Sequence, residues 1–205
     1  MRLKPWADGP LHLIKTPSMT QEVGSHESVY IANEMAFAHN AMLRGINSIY
    51  HQALNVRHPR DIADLLFFAK TWSTWVAHHH ELEETRMFPG FEQVAGKTGL
   101  LNSNVEQHHA FSGGLQKLKE YAVSTDPSAY SGSKLQSIID EFSAALQTHL
   151  HEEIDSLLSL RLYDGKALLE VYKQCEAAAG DQPKVKDALL FFFASIRLLS
   201  KNMNE

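Results

Sequence analysis

Apolar residues recur along this chain at three- and four-residue steps over four long stretches, and no stretch alternates at period two, so the pattern predicts helices and no strands. Ile31, Met35, Met42, Ile46 and Ile49 mark a first amphipathic helix, with Ser25 or Ser28 as its expected N-cap and Pro59 beyond its end. Pro59 and Asp61 open a second, whose stripe runs Ile62, Leu65, Leu66, Ala69, Trp72, Trp75 and Val76 and is expected to stop at Pro89-Gly90. Leu101, Val105, His108, Phe111, Leu115 and Leu118 give a third. Within it, Gly113-Gly114 points to close helix packing or a local kink. The fourth carries Leu135, Ile138, Ile139, Phe142, Leu146, Leu150, Leu157 and Leu160. A shorter helix follows Asp164-Gly165 and ends by Gly180, and Pro183 introduces a last, very apolar one. Residues 1–24, with Pro5, Pro10 and Pro17 and no sustained period, read as an extended arm. The expected architecture is all-α: an up-down-up-down four-helix bundle over residues 25–163, preceded by the arm. Residues 164–205 are expected to form a helical extension, packed on the bundle or in a dimer interface.

Each bundle helix places a histidine on its apolar stripe. Met35, Met42 and Leu43 surround His39, and His108 lies three and seven residues from Val105 and Leu101. The second helix ends in Trp75-Val-Ala-His-His-His-Glu-Leu-Glu-Glu-Thr-Arg-Met-Phe-Pro89, in which His79 and Glu83 lie one turn apart on one face. His80 and Glu84 share that spacing. Trp72, Trp75, Val76, Leu82 and Met87 fall at helical steps from His79, whereas Ser73 and Ala77 neighbour His80, so His79 and Glu83 are the pair expected inside. His149 and Glu153 repeat the motif on the fourth helix. Histidines and glutamates buried in a bundle core carry desolvation costs that metal ions offset. His39, His79, His108 and His149 with Glu83 and Glu153 match two metals with two imidazoles each and two bridging carboxylates. Nitrogen and carboxylate donors without thiolate suit iron or manganese, and zinc accepts the same ligand types.

Composition narrows the partners. At 205 residues and 23.1 kDa the chain has the size of one domain with terminal elaboration. A net charge of −5 with mixed signs gives no footprint for nucleic acid or anionic lipid, and no apolar run reaches the roughly 20 residues of a membrane span. Cys175 alone offers no disulfide framework and fits a reducing, cytoplasmic setting. Twelve histidines are the unusual count.

Ala38-His39-Asn40, the run from His79 to Pro89, Glu106-Gln107-His108 and the run from His149 to Glu153 together resemble the hemerythrin-like, or HHE cation-binding, domain family over roughly residues 26–162. Pro5-Trp6-Ala7-Asp8 is similar to small fungal members. The resemblance implies a non-haem di-iron centre bridged by oxo or hydroxo and by both carboxylates. The family includes oxygen carriers, iron-centre repair proteins, and iron or oxygen sensors. Oxygen carriers have a second histidine four residues after the first on the third helix, where this chain has Ser112. That difference implies an exchangeable position on each metal and favours reaction with oxygen, peroxide or nitric oxide over reversible storage.

Two functions follow as expectations. One is a di-iron enzyme that oxidises a small apolar organic substrate, with the aromatic second helix and the apolar terminal helix capping a pocket over the metals. The other is a non-catalytic protein that binds or senses iron, oxygen or nitric oxide or repairs iron centres, and the same surfaces can equally form a homodimer interface. A channel wide enough for an organic molecule would favour the first, and access for diatomic gases alone the second.

Overall fold

The structure, a computed structural model, describes residues 6–19 and 26–180. Among these residues there is no strand, and the long helices are α1 (Glu27–Ala53), α2 (Pro59–Leu82), α4 (Asn102–Ser124) and α6 (Ser143–Ser159). The shorter helices are α3 (Phe88–Ala95), α5 (Gly132–Asp140) and α7 (Gly165–Gly180). The chain is all-α. α1 packs on α2 and α6, α2 on α4, and α4 on α6, which closes the up-down-up-down ring. α7 lies outside it against α1 and α3. The expected apolar helix after Pro183 lies outside the described residues.

The stripes meet in one core that includes Ile31, Met42, Ile46, Trp72, Leu118, Leu135 and Leu146. Its polar atoms are paired: the Trp72 indole donates to the Met42 carbonyl at 3.0 Å. The arm is pinned by side-chain amides, with Asn40 and Asn47 of α1 bonding the backbone of Ile14, Leu11 and Ala7. His151 donates to the His12 carbonyl.

Three local expectations are corrected. α1 is capped by His26, whose Nδ1 accepts from the Ser28 amide at 3.1 Å, and Ser25 lies outside the described residues. Pro89-Gly90 does not stop the second helix. Pro89 occupies the first turn of α3, where its missing N–H costs nothing, and the chain stays helical until Gly96 takes a left-handed φ of 64°. Between α2 and α3, Glu83–Met87 forms a π-helical turn. The fourth bundle helix is also split, into α5 and α6. Phe142, between the two segments, fills the space that a Cβ on Gly114 would enter. The glycine pair of α4 therefore marks close packing, at Gly114.

Candidate metal centre

All six expected side chains converge in the bundle core. His39 is fully buried on α1, and its Nδ1 donates to the Leu150 carbonyl at 2.8 Å, which leaves the Nε2 lone pair aimed inward, 3.4 Å from Glu153 Oε2. His149 of α6 puts Nδ1 3.3 Å from Gln107 Oε1 and its Nε2 3.4 Å from the same Glu153 oxygen. His108 of α4 donates Nδ1 to Glu84 Oε1 at 2.7 Å. Its Nε2 then faces Glu83 Oε2 at 3.4 Å and His149 Nε2 at 3.1 Å. His79 Nε2 approaches Glu83 Oε1 to 2.7 Å, but neither atom has hydrogen-bond geometry.

His80 joins them, against the register argument made from the sequence. It is only 5% exposed, and its ring lies 4.5 Å from that of His108 and 5.0 Å from that of His149. The inward line on α2 runs through Ser73, Val76 and His80 as well as Trp72, and Val76 is four residues before His80. The stripe thus passes between the two histidines instead of selecting His79. That fully buried Val76, together with the overlapping His79/Glu83 and His80/Glu84 spacings, is the signal in the sequence that marks His80. Downstream, the wider π turn lets successive residues serve the core, so Glu83 enters the site while Glu84 reaches His108.

Ser112, four residues after His108, lies outside the buried cluster. It is exposed, and its hydroxyl donates to the His109 carbonyl at 3.2 Å on its own helix.

The donor set fits a cation, because its polar atoms find too few partners within the protein. With Nδ1 of His108 and His149 both donating, their Nε2 atoms meet at 3.1 Å as two lone pairs. His39 Nε2, both nitrogens of His80 and all four oxygens of Glu83 and Glu153 are buried with no hydrogen-bond partner. A protein core rarely leaves so many donors and acceptors unpaired. Cations satisfy them together: with metal–nitrogen bonds of about 2.0–2.1 Å, ligand atoms at right angles on one ion stand about 3 Å apart. Two ligand groups fit, His39, His79 and Glu83 in one and His80, Glu83, His108 and His149 in the other, each with its donor atoms within 4.8 Å of one another. Glu83 belongs to both. Glu153 Oε2 lies 3.4 Å from a histidine of each.

Electrostatics agree with neutral imidazoles. Burial pushes His39, His80 and His149 well below the usual histidine range, with neighbouring imidazoles adding to the effect. His79 falls to about 4, chiefly through burial. Burial also lowers His108, against the pull of Glu84. Glu83 and Glu153 are driven up by burial first and by neighbouring carboxylates, Glu84 and Glu83 respectively, second. Burial thus favours the uncharged form of both the histidines and the two acids when no cation is bound.

A cleft of about 540 Å³ opens between α2 and α4. Ser73, Ala77, Ser112 and Lys119 line its walls, and His80 and His108 reach its inner end. Among the described residues no helix is long and apolar enough to cross a membrane.

A protein of Cryptosporiopsis sp. (strain 8999), "Dimeric xanthone biosynthesis cluster protein R11", is 37% identical over 180 residues, covering 87% of this chain and 69% of that protein. No solved structure matches. The profile of the hemerythrin HHE cation-binding domain matches residues 31–160, a span that contains every histidine and glutamate of the cluster, and the chain belongs to that family.

Proposed function

We propose that this protein holds a non-haem di-iron centre on His39, His79, Glu83, His108, His149 and Glu153 and uses it to react with oxygen or a related small oxidant. The observation that carries the reading is the meeting of ring nitrogens and carboxylate oxygens without hydrogen-bond partners in a buried core, a donor set suited to iron or manganese. Two irons held by these groups would supply the two electrons that a two-electron reduction of oxygen requires. The protein keeps the donor atoms in place: the Leu150 carbonyl, Gln107 and Glu84 fix the tautomers of His39, His149 and His108.

Two observations favour oxidation of an organic molecule over gas binding alone. The cleft between α2 and α4 has the volume of a small-molecule pocket and ends on His80 and His108. The relative's name places it in a biosynthesis cluster for dimeric xanthones, so an aromatic substrate of similar chemistry is the natural candidate for this chain. The apolar and aromatic side chains around the cleft, Phe111 and Leu115, suit such a ring system.

Apo protein loaded with ferrous iron without air and then exposed to oxygen tests the reading. It should hold about two irons per chain and develop the near-ultraviolet absorption of a bridged ferric pair. Protein that takes up no iron, or iron that stays ferrous in air, would overturn it.

A further inference from the structure

We infer that His80 is a fifth imidazole ligand, supplied by α2 instead of by the third bundle helix, and that the two metals are held unequally. His80, His108 and His149 serve one metal, His39 and His79 the other, and Glu83 and Glu153 are shared. The inference rests on the metal-centre reading above and extends it.

Adjacent residues on a helix point about 100° apart, so one of two neighbouring histidines ordinarily leaves the core. Here both are drawn in, toward different partners. His79 faces His39, with ring centroids 5.6 Å apart, and Glu83. His80 faces His108 and His149, and the edge-on contact with Phe111 at 5.0 Å braces its ring. Its donor atom lies within 4.8 Å of those of Glu83, His108 and His149.

The bonding of each ring separates ligand from bystander. His39, His108 and His149 each spend Nδ1 on a named protein acceptor and keep Nε2 free. His80 spends neither nitrogen, and both are buried. A neutral imidazole always carries one N–H and one lone pair, and no protein group pairs with the lone pair of His80. A cation shared with His108 and His149 satisfies it. Ser112 leaves that position open, because its hydroxyl is committed to its own helix backbone and its side chain is exposed. α4 therefore contributes one imidazole, and the third on that metal comes across the bundle from α2.

The unequal arrangement leaves more room on the His39/His79 metal, so an added small anion should bind at one metal and not at both. This replaces the expectation of an exchangeable position on each.

Titration of apo protein with ⁵⁷Fe(II) followed by Mössbauer spectroscopy tests the assignment on wild type, His80→Leu, His80→Gly and His39→Ala. Wild type should bind two irons and show two inequivalent sites. His80→Leu should bind the second iron at least about tenfold more weakly. Its apo form should melt higher than wild-type apo protein, since an apolar side chain replaces an unpartnered imidazole, whereas a merely structural histidine would give a lower melting temperature. Free imidazole should restore the second iron to His80→Gly. If His80→Leu keeps both irons at wild-type affinity with unchanged Mössbauer parameters while His39→Ala loses iron, the assignment of His80 falls and the metal centre stands. Wild-type protein that binds no iron removes both.

Discussion

Two stretches of the same bundle are equally buried and chemically opposite. In the apolar stretch, Trp72, Met42, Ile46, Leu118 and Leu135 are fully enclosed, and the one polar atom of Trp72 is satisfied by a backbone carbonyl. His80 lies about 12 Å further along α2, in a cluster with His39 and Glu153, which are equally enclosed and hold unpaired nitrogens and oxygens. Burial alone therefore does not mark the site. What marks it is polar atoms that the protein positions carefully through their other ring nitrogens and then leaves without partners. The first stretch stabilises the fold by excluding water. The second reduces stability until a cation completes it.

The sharpest contrast comes from truncating one residue in each stretch. Leu118→Ala should destabilise apo and iron-loaded protein alike by about 2–5 kcal/mol, because it removes buried methyl groups and leaves a cavity, while iron content stays at the wild-type level. Glu153→Ala should lose at least one of the two irons, because the carboxylate stands 3.4 Å from a histidine of each ligand group. Calorimetry with metal analysis distinguishes them. A Glu153→Ala protein with full iron content would mean that Glu153 is not a ligand.

Removing the metal should expose opposing pH dependences in the second stretch. His79 titrates near 4 in the folded chain and near 6.5 when unfolded, so its contribution to stability is present above 6.5 and is lost as the pH falls toward 4. Glu83 and Glu153 titrate above their ordinary 4.5 in the folded chain, so their contribution is present below 4.5 and is lost as the pH rises through their folded values. Five lowered histidines outnumber two raised glutamates, so apo protein should lose stability as the pH falls below about 6.5 and should also weaken as the pH rises through the folded values of the glutamates. Iron-loaded protein should be more stable than apo protein at neutral pH and release its metal below about pH 6, where protons compete for the imidazoles. Identical melting curves for apo and loaded protein from pH 5 to pH 8 would contradict both statements.

The difference between the two stretches also explains how far the sequence could be read. The apolar one is periodic, and its stripes predicted α1, α2, α4 and the α5–α6 pair from residues such as Ile46, Trp72, Leu118 and Leu135. The inward positions of His39, His108 and His149 followed from the same periodicity. Periodicity failed where the helix stopped being regular. The π turn at Glu83–Met87 changes the step from residue to residue, so Glu84 came to His108 and the chain stayed helical past Pro89. His80 was missed because the stripe falls between two adjacent histidines, and a rule that admits one residue per turn had to discard one. The break at Phe142 was hidden because Phe142 fits the apolar period on both sides of it.

Glu84 offers a gentler perturbation of the site stretch. Its side chain is 32% exposed and bonds His108 Nδ1 at 2.7 Å, so it orients the ring from the cleft side. Glu84→Gln can keep a hydrogen-bond acceptor there but removes the charge. We expect iron affinity to fall by about 10–100-fold with little change in apo stability, the usual effect of weakening a partner behind a metal-bound histidine. Competition titration against a coloured chelator would measure it, and unchanged affinity would assign Glu84 to the cleft wall alone.

The smallest expected effects come from the two adjacent glycines of α4. A Cβ at Gly114 would overlap the Phe142 side chain, whereas one at Gly113 meets nothing within 4 Å. Both positions are helical, so alanine gains about 0.8–1 kcal/mol from reduced backbone freedom at either. At Gly113 nothing opposes the gain, and Gly113→Ala should raise the urea midpoint with an unchanged slope. At Gly114 overpacking costs about 1–3 kcal/mol and outweighs or cancels it, so Gly114→Ala should leave the midpoint level or lower it. Gly113 also lines the cleft that ends on His80 and His108, while Gly114 packs against the core residue Phe142. Neither variant should change the iron content. A Gly113→Ala protein that is more stable but holds less iron would show that the cleft wall and the metal ligands are mechanically linked, and the two stretches could then no longer be treated as independent.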